Sequence, residues 1–287
     1  MKKNAIILGL VIAITQIIAC SKSSDNDPYG GGGGNTDNSG KIQITANATF
    51  GNILTDGNGK TLYFFAKDAN GSSACTGGCL SAWPVYYSAS LSVGTGLNSS
   101  DFGTITRADG SKQTTFKGWP LYYYAVDSKA GDVKGDAADS IWFVARNDYA
   151  VMIAQYQLTG NDGKNYLGNY QVGDGLTKYI TDQNGVTLYS FKPDKNKLNT
   201  YTKPDFSNNG LWPIDSLATI GSIPAILKKA DFDTIHVYGK PQLTYKGWPL
   251  YYFGPDNNTR GNTKGVSVPT PGVWPINNAQ TSVAPAQ

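Results

Sequence analysis

Along most of this chain, side-chain polarity alternates over short stretches instead of cycling at helical spacing. Around Tyr63 the chain reads Thr-Leu-Tyr-Phe-Phe-Ala-Lys-Asp, and similar octets begin at Pro120, Thr187 and Pro249. In an extended segment side chains alternate with period two, so Tyr63 and Phe65 share one face, and so do Tyr122 and Tyr124. Aromatic residues suit a pleated, half-buried surface, which predicts strands at all four places. The stretches "DGNG" from Asp56 and "QNG" from Gln183 carry the chemistry of tight hairpin turns. Gly-Trp-Pro, at 118–120 and 247–249, puts proline at a strand start, where its missing N–H costs least. Only "IPAILKKA", Ile223 to Ala230, predicts a short helix. The fold class is all-β.

The octets belong to a longer repeat. Each has the form Leu-Tyr-x-aromatic-x-x-Asp: Tyr63/Phe65/Asp68, Tyr122/Tyr124/Asp127, Tyr189/Phe191/Asp194 and Tyr251/Phe253/Asp256. The tyrosines are 59, 67 and 62 residues apart, and a tryptophan follows each one (Trp83, Trp142, Trp212, Trp274) after 20, 20, 23 and 23 residues. Copies one and three share a preamble, "LTDGNGKTLYFF" and "ITDQNGVTLYSF". Copies two and four share "DFGTI" or "DFDTI", then Gln113 or Gln242, "KGWPLYY", and a tail "GDVKG" or "GNTKG". The true period is therefore a pair. It predicts two tandem related β domains, 42–150 and 168–280, each of two half-repeats, with 151–167 as a connector of a strand or two and a turn. The alternative is a single four-bladed propeller, since about 60 residues can hold four strands. Residues 281–287 read as a disordered tail.

The N-terminus is read apart from the fold. Lys2 and Lys3 precede an apolar run from Ala5 to Ala19, which describes an export signal over 1–19, too short for a comfortable membrane span. The run ends in "IIAC", and a Cys after Ile-Ile-Ala resembles the bacterial lipobox, which makes Cys20 the acylated first residue of the mature protein. Ser21, not Asp, follows, which by resemblance to sorting rules favours the outer membrane, facing either the periplasm or the surface. Residues 20–41, rich in Ser, Asp, Asn and Gly, read as a flexible stalk.

Lys2 and Lys3 account for two of the 24 basic residues, leaving 22 against 21 acidic ones. A nearly neutral mature chain has no basic field to attract nucleic acid. With His236 the single histidine, multi-histidine zinc, haem and copper sites within one chain are excluded. No cofactor and no metal is expected.

The fourfold motif resembles the bacterial secreted-repeat lipoproteins, which are described by Y-x-[FWY]-x-x-D and are generally of unknown function. The resemblance runs from about Asn47 to Ile276. The family's cysteine pair stands here as Cys75 and Cys79 in "CTGGC"; the matching stretch of the second half has none.

Several residues are candidates for a site. Outside the cytoplasm Cys75 and Cys79 read as a disulfide staple, with a redox-active pair and a metal site as alternatives. The four motif aspartates read as turn caps or acceptors for tyrosine hydroxyls, and calcium ligation is the alternative. Trp119 and Trp248 read as core, or as a platform on which a sugar stacks. His236 reads as a solvated strand residue. No nucleophile elbow, phosphate loop or metalloprotease helix occurs. The leading function is a non-catalytic binding or scaffolding lipoprotein, held to the membrane by Cys20, with an envelope protein or glycan as ligand. A redox or electron-transfer accessory using Cys75/Cys79 is the alternative, and a carbohydrate-binding or carbohydrate-active protein the second.

Overall fold

The Asn-Gly turns form where the sequence places them. In a computed structural model that describes residues 37–287, the Asp56 N–H donates to Lys60 O and the Gly59 N–H to Asp56 O, with Gly59 at φ +82°. Asp56 Oδ1 ties the turn by accepting the Asn58 and Lys60 N–H groups. Asp182 makes the same bonds to Val186 and Gly185 in the second half. The export signal 1–19, Cys20 and the stalk as far as Thr36 lie outside the described residues; Lys41 already opens the first strand.

In the first half Lys41–Asn47 pairs antiparallel with Gly51–Asp56, Tyr63–Phe65 with Trp142–Val144, and Phe102–Thr106 with Lys112–Phe116, which in turn pairs with Trp119–Pro120. The second half repeats the scheme. Phe232–Val237 pairs with Lys240–Tyr245, and that strand with Trp248–Pro249. The piece 151–167 is more than a link. Its strand Val151–Thr159 pairs antiparallel with Leu176–Asp182, taking the role that Lys41–Asn47 has in the first half, and then turns into Asn165–Tyr166.

The phrase Lys-Gly-Trp-Pro is itself a hairpin. Phe116 faces Trp119 across a two-residue loop in which Lys117 and Gly118 have φ +48° and +76°; Lys246 and Gly247 match at +48° and +82°. Two successive positive φ angles make the turn whose twist matches that of its strands. Lysine tolerates this conformation only at a cost, so its presence in both copies calls for a second reason.

The helix expected over Ile223 to Ala230 does not form. Leu227 N–H reaches Pro224 O in one isolated turn, and a 3-10 turn, Lys229–Asp231, follows. Eight residues give a helix little to recover its nucleation cost, while Leu227, Ile223 and Ile226 pack into the core from the turn. Among the described residues the one α-helix is Gly78–Ala82, a single turn inside the cysteine loop.

One hydrophobic cluster joins Leu54, Leu62 and Trp119 of the first half to Met152, Trp212 and Val266 of the second, and Asp37–Gln287 form one compact unit. Its sheets have two or three strands each, so four-stranded propeller blades do not form among the described residues. The half-repeats meet instead by two-fold exchange: Tyr63 and Tyr122 trade both backbone hydrogen bonds, and so do Tyr189 and Tyr251.

Candidate functional site

The motif tyrosines and aspartates close on one another across the repeat pairs. Tyr63 Oη donates to Asp127 Oδ2 at 2.6 Å and Tyr122 Oη to Asp68 Oδ2 at 2.7 Å. In the second half Tyr189 donates to Asp256 at 2.6 Å and Tyr251 to Asp194 at 2.7 Å. Each half-repeat thus supplies the acceptor for its partner's hydroxyl. The other oxygen of each carboxylate accepts the backbone N–H of the loop that follows it: Ala74, Lys134, Thr200 and Lys264. Burial pushes Asp68 up to about 7 and Asp256 up to about 6, and raises Asp127 and Asp194. Burial also lifts all four tyrosines well above their usual range, so they remain donors. Asp68, Asp194 and Asp256 are buried with both oxygens engaged. These three carboxylates are engaged within the fold, and Asp127 makes the same bonds while half-buried.

The third motif position and the following tryptophan form a second exchange. Tyr124, Trp83, Trp142 and Phe65 stack in sequence, with centroids 4.2, 3.8 and 3.9 Å apart. Phe253, Trp212, Trp274 and Phe191 repeat the four-ring stack at 4.3, 3.6 and 4.3 Å. Each motif tyrosine meets its own tryptophan edge-on, from Tyr63–Trp83 to Tyr251–Trp274. Aromatic pairs in these geometries are favourable beyond the area they bury.

Cys75 and Cys79 are joined as a disulfide with Cα atoms 5.4 Å apart. Cys75 is 1% exposed, and its carbonyl accepts Arg107 Nη2 at 2.7 Å. Arg107 Nη1 reaches Gln113 Oε1 at 2.6 Å and also bonds Ser73 Oγ, which lies 2.6 Å from Tyr122 Oη. The second half lacks both the bridge and this arginine. There Asn199 Nδ2 bonds Gln242 Oε1 at 2.8 Å and braces the loop.

The reason for the repeated Lys-Gly-Trp is docking. Trp119 donates Nε1–H to Gln183 O at 3.0 Å, Lys117 Nζ reaches Gln183 Oε1 at 2.8 Å, and Arg260 lies 4.4 Å over the Trp119 ring. Arg260 also donates to Ala69 O and Lys117 O, bonds that tie the two halves together. A side chain at Gly118 would collide with its guanidinium. In the second half the same phrase holds the C-terminus: Trp248 Nε1–H donates to Ser282 O, Lys246 Nζ to Ala279 O and Thr281 O, and Ala284 N–H to Lys246 O. Residues 281–287, expected to be a disordered tail, are strapped across the end of the fold because this hairpin offers them fixed partners. Trp119 is 1% exposed and sealed between the halves, so no ligand stacks on it. Trp248, covered only by the thin tail, is half-buried. His236 is exposed on its strand.

Beside Trp248 lies a groove of about 330 Å³, whose walls include Tyr170, Ser190, Asn277, Asn278 and Gln280. The matching place in the first half is filled. Ser190 N–H donates to Pro275 O, just as Phe64 pairs with Phe143, so Ser190 stands where the first half has Phe64. Asn277 O accepts Ile180 N–H as Ala145 O accepts Leu54 N–H, so Asn277 stands in place of Ala145. Phe64 fills its space by packing on Phe116, Trp119 and Tyr149. Serine in its place leaves that space open.

Residues 44–86 and 103–146 match the model of a lipoprotein family described as a secreted repeat of unknown function. The chain carries this secreted repeat. The two matched stretches are the two half-repeats of the first pair, and the second pair reproduces the Tyr–Asp bonds and ring stacks of the secreted repeat residue for residue. No curated protein and no solved structure matches the chain.

Sequence reasoning named the residues that hold the secreted repeat together and missed those that open the groove. The signal was present in the internal alignment: "TLYFF" against "TLYSF" and "WFVA" against "WPIN" are polar-for-apolar exchanges inside otherwise matching words.

Proposed function

We propose that this secreted-repeat protein is a lipid-anchored, non-catalytic binding module of the outer membrane, with its ligand seat in the groove beside Trp248. One observation carries the reading: positions that are apolar and sealed in the first pair (Phe64, Ala145, Trp119) are polar or opened around one groove in the second (Ser190, Asn277, Trp248). A scaffold has no need to replace buried Phe with Ser, because the lost packing costs about 3–5 kcal/mol at a well-filled site. Against catalysis stands the engagement of the motif carboxylates within the fold. Against a redox role stands Cys75, buried with its carbonyl held by Arg107. The anchor rests on Cys20 and its lipobox-like setting, and Ser21 supports the outer membrane.

Two experiments test this. Cys20→Ala is expected to release the protein from the membrane fraction, and retention without Cys20 defeats the anchor. Ligand capture by the intact chain without turnover is expected; measurable turnover of a captured ligand defeats the binding reading.

A further inference from the structure

The lining of the groove narrows the class of its ligand. Trp248 and Tyr170 contribute aromatic surface, Asn277, Asn278 and Gln280 contribute amides, and Ser190 a hydroxyl. No charged side chain lines it among the described residues. Its volume, about 330 Å³, falls in the ~300–1,000 Å³ range of small-molecule sites. Asn277 is fully buried in the groove wall; its Oδ1 lies 3.4 Å from Ser190 Oγ, and its Nδ2 has no partner among the described residues. A buried N–H without an acceptor costs about 1–3 kcal/mol. Asparagine at the place of Ala145 is therefore a liability unless something brings an acceptor to it.

We propose that this groove binds a neutral saccharide. An ionic ligand would find no countercharge in the lining. A wholly apolar ligand would desolvate the amides of Asn278 and Gln280 and still leave Asn277 Nδ2 without an acceptor. A sugar ring has an apolar face of C–H groups to lie on an aromatic surface, and uncharged hydroxyls that both donate and accept. A sugar hydroxyl oxygen becomes the acceptor that Asn277 Nδ2 lacks once the buried amide turns toward the groove. Because the first pair is sealed by Phe64 and Ala145, the described residues of each chain hold one such seat. The inference rests on the binding reading above and adds the ligand class and the stoichiometry.

The test uses the intact chain in detergent micelles, titrated with neutral tetrasaccharides of glucose, mannose, xylose and N-acetylglucosamine and followed by tryptophan fluorescence and calorimetry. At least one is expected to bind saturably at one per chain. Ser190→Phe, which restores the residue of the first pair, is expected to weaken it at least tenfold without lowering Tm. Trp248→Phe and Asn277→Ala are each expected to weaken it about threefold to tenfold. Absence of saturable binding across the panel, or binding indifferent to Ser190→Phe, overturns the saccharide seat. Capture of a peptide that Ser190→Phe abolishes also overturns it, while leaving the binding reading standing. Turnover of a tetrasaccharide overturns the binding reading itself.

Discussion

Tyr189 and Asp256 stand 67 residues apart in the chain and 2.6 Å apart in the fold, hydroxyl to carboxylate. Neither belongs to the other's half-repeat, and the pair repeats at Tyr63–Asp127, Tyr122–Asp68 and Tyr251–Asp194. The motif is thus a reciprocal clasp, in which one half-repeat cannot satisfy its own buried groups without the next. Removing one hydroxyl leaves a buried carboxylate oxygen short of a donor. Tyr189→Phe is expected to lower the unfolding free energy by about 1–3 kcal/mol. In a double-mutant cycle with Asp256→Ala, urea denaturation is expected to show the second change costing less once the first is made.

Arg260 does for the two halves what the tyrosines do within each. It spans from the second half to Ala69 O and Lys117 O of the first and covers the Trp119 ring. Arg260→Ala leaves the Ala69 and Lys117 carbonyls without this donor and is expected to cost about 2–4 kcal/mol. Its urea transition is then expected to be broadened or split relative to that of the unaltered protein, with the first half unfolding separately. A variant with one sharp transition and unchanged midpoint would show that the halves are held by other contacts.

Asp215 carries a pH dependence. It occupies the position of Tyr86 in the first pair, each donating its N–H to the carbonyl of the motif leucine, Leu250 or Leu121. It is 5% exposed, and burial, with the charge of Asp182 adding to it, pushes it up to about 7 from an ordinary 3.8. The folded chain therefore holds this proton more tightly than the unfolded chain. The stability linked to it is full below about pH 4 and is lost as pH rises through about 7. Asp215→Asn, uncharged throughout, is expected to flatten that slope and to stabilise the protein at pH 8 by about 1–3 kcal/mol, with little effect at pH 4. Denaturation midpoints at the two pH values check it.

The cysteine bridge acts locally. A loop of this size contributes about 2 kcal/mol by restricting the unfolded chain. Cys75→Ser with Cys79→Ser is expected to lower stability by that amount. Hydrogen-exchange protection is expected to fall over residues 72–82, where Arg107 holds the Cys75 carbonyl, and to remain in the loop braced by Asn199.

Much of this architecture was legible before any coordinates. Alternation around Tyr63 identified strands, Asn-Gly identified turns, and the fourfold spacing identified the pairing of half-repeats. Those signals are local: backbone twist, positive φ and period-two burial act within a few residues. Other features were hidden because their causes are distant. The helix read into Ile223 to Ala230 is a propensity that packing against the core overrode. The tail 281–287 looks formless by composition and is held by Lys246 and Trp248. Trp119 and Trp248 sit in identical words, yet one is sealed and the other half open.

The amino-acid sequence alone determined the strands, the turns, the two-by-two repeat and the residues of the clasp, because each follows from side-chain alternation, turn chemistry or self-similarity. Only the tertiary structure decided which tyrosine meets which aspartate, what covers each Lys-Gly-Trp hairpin, and where Ser190 and Asn277 open a groove. Those outcomes depend on segments 33 to 191 residues apart arriving at one place, and no local pattern records what a side chain will find there.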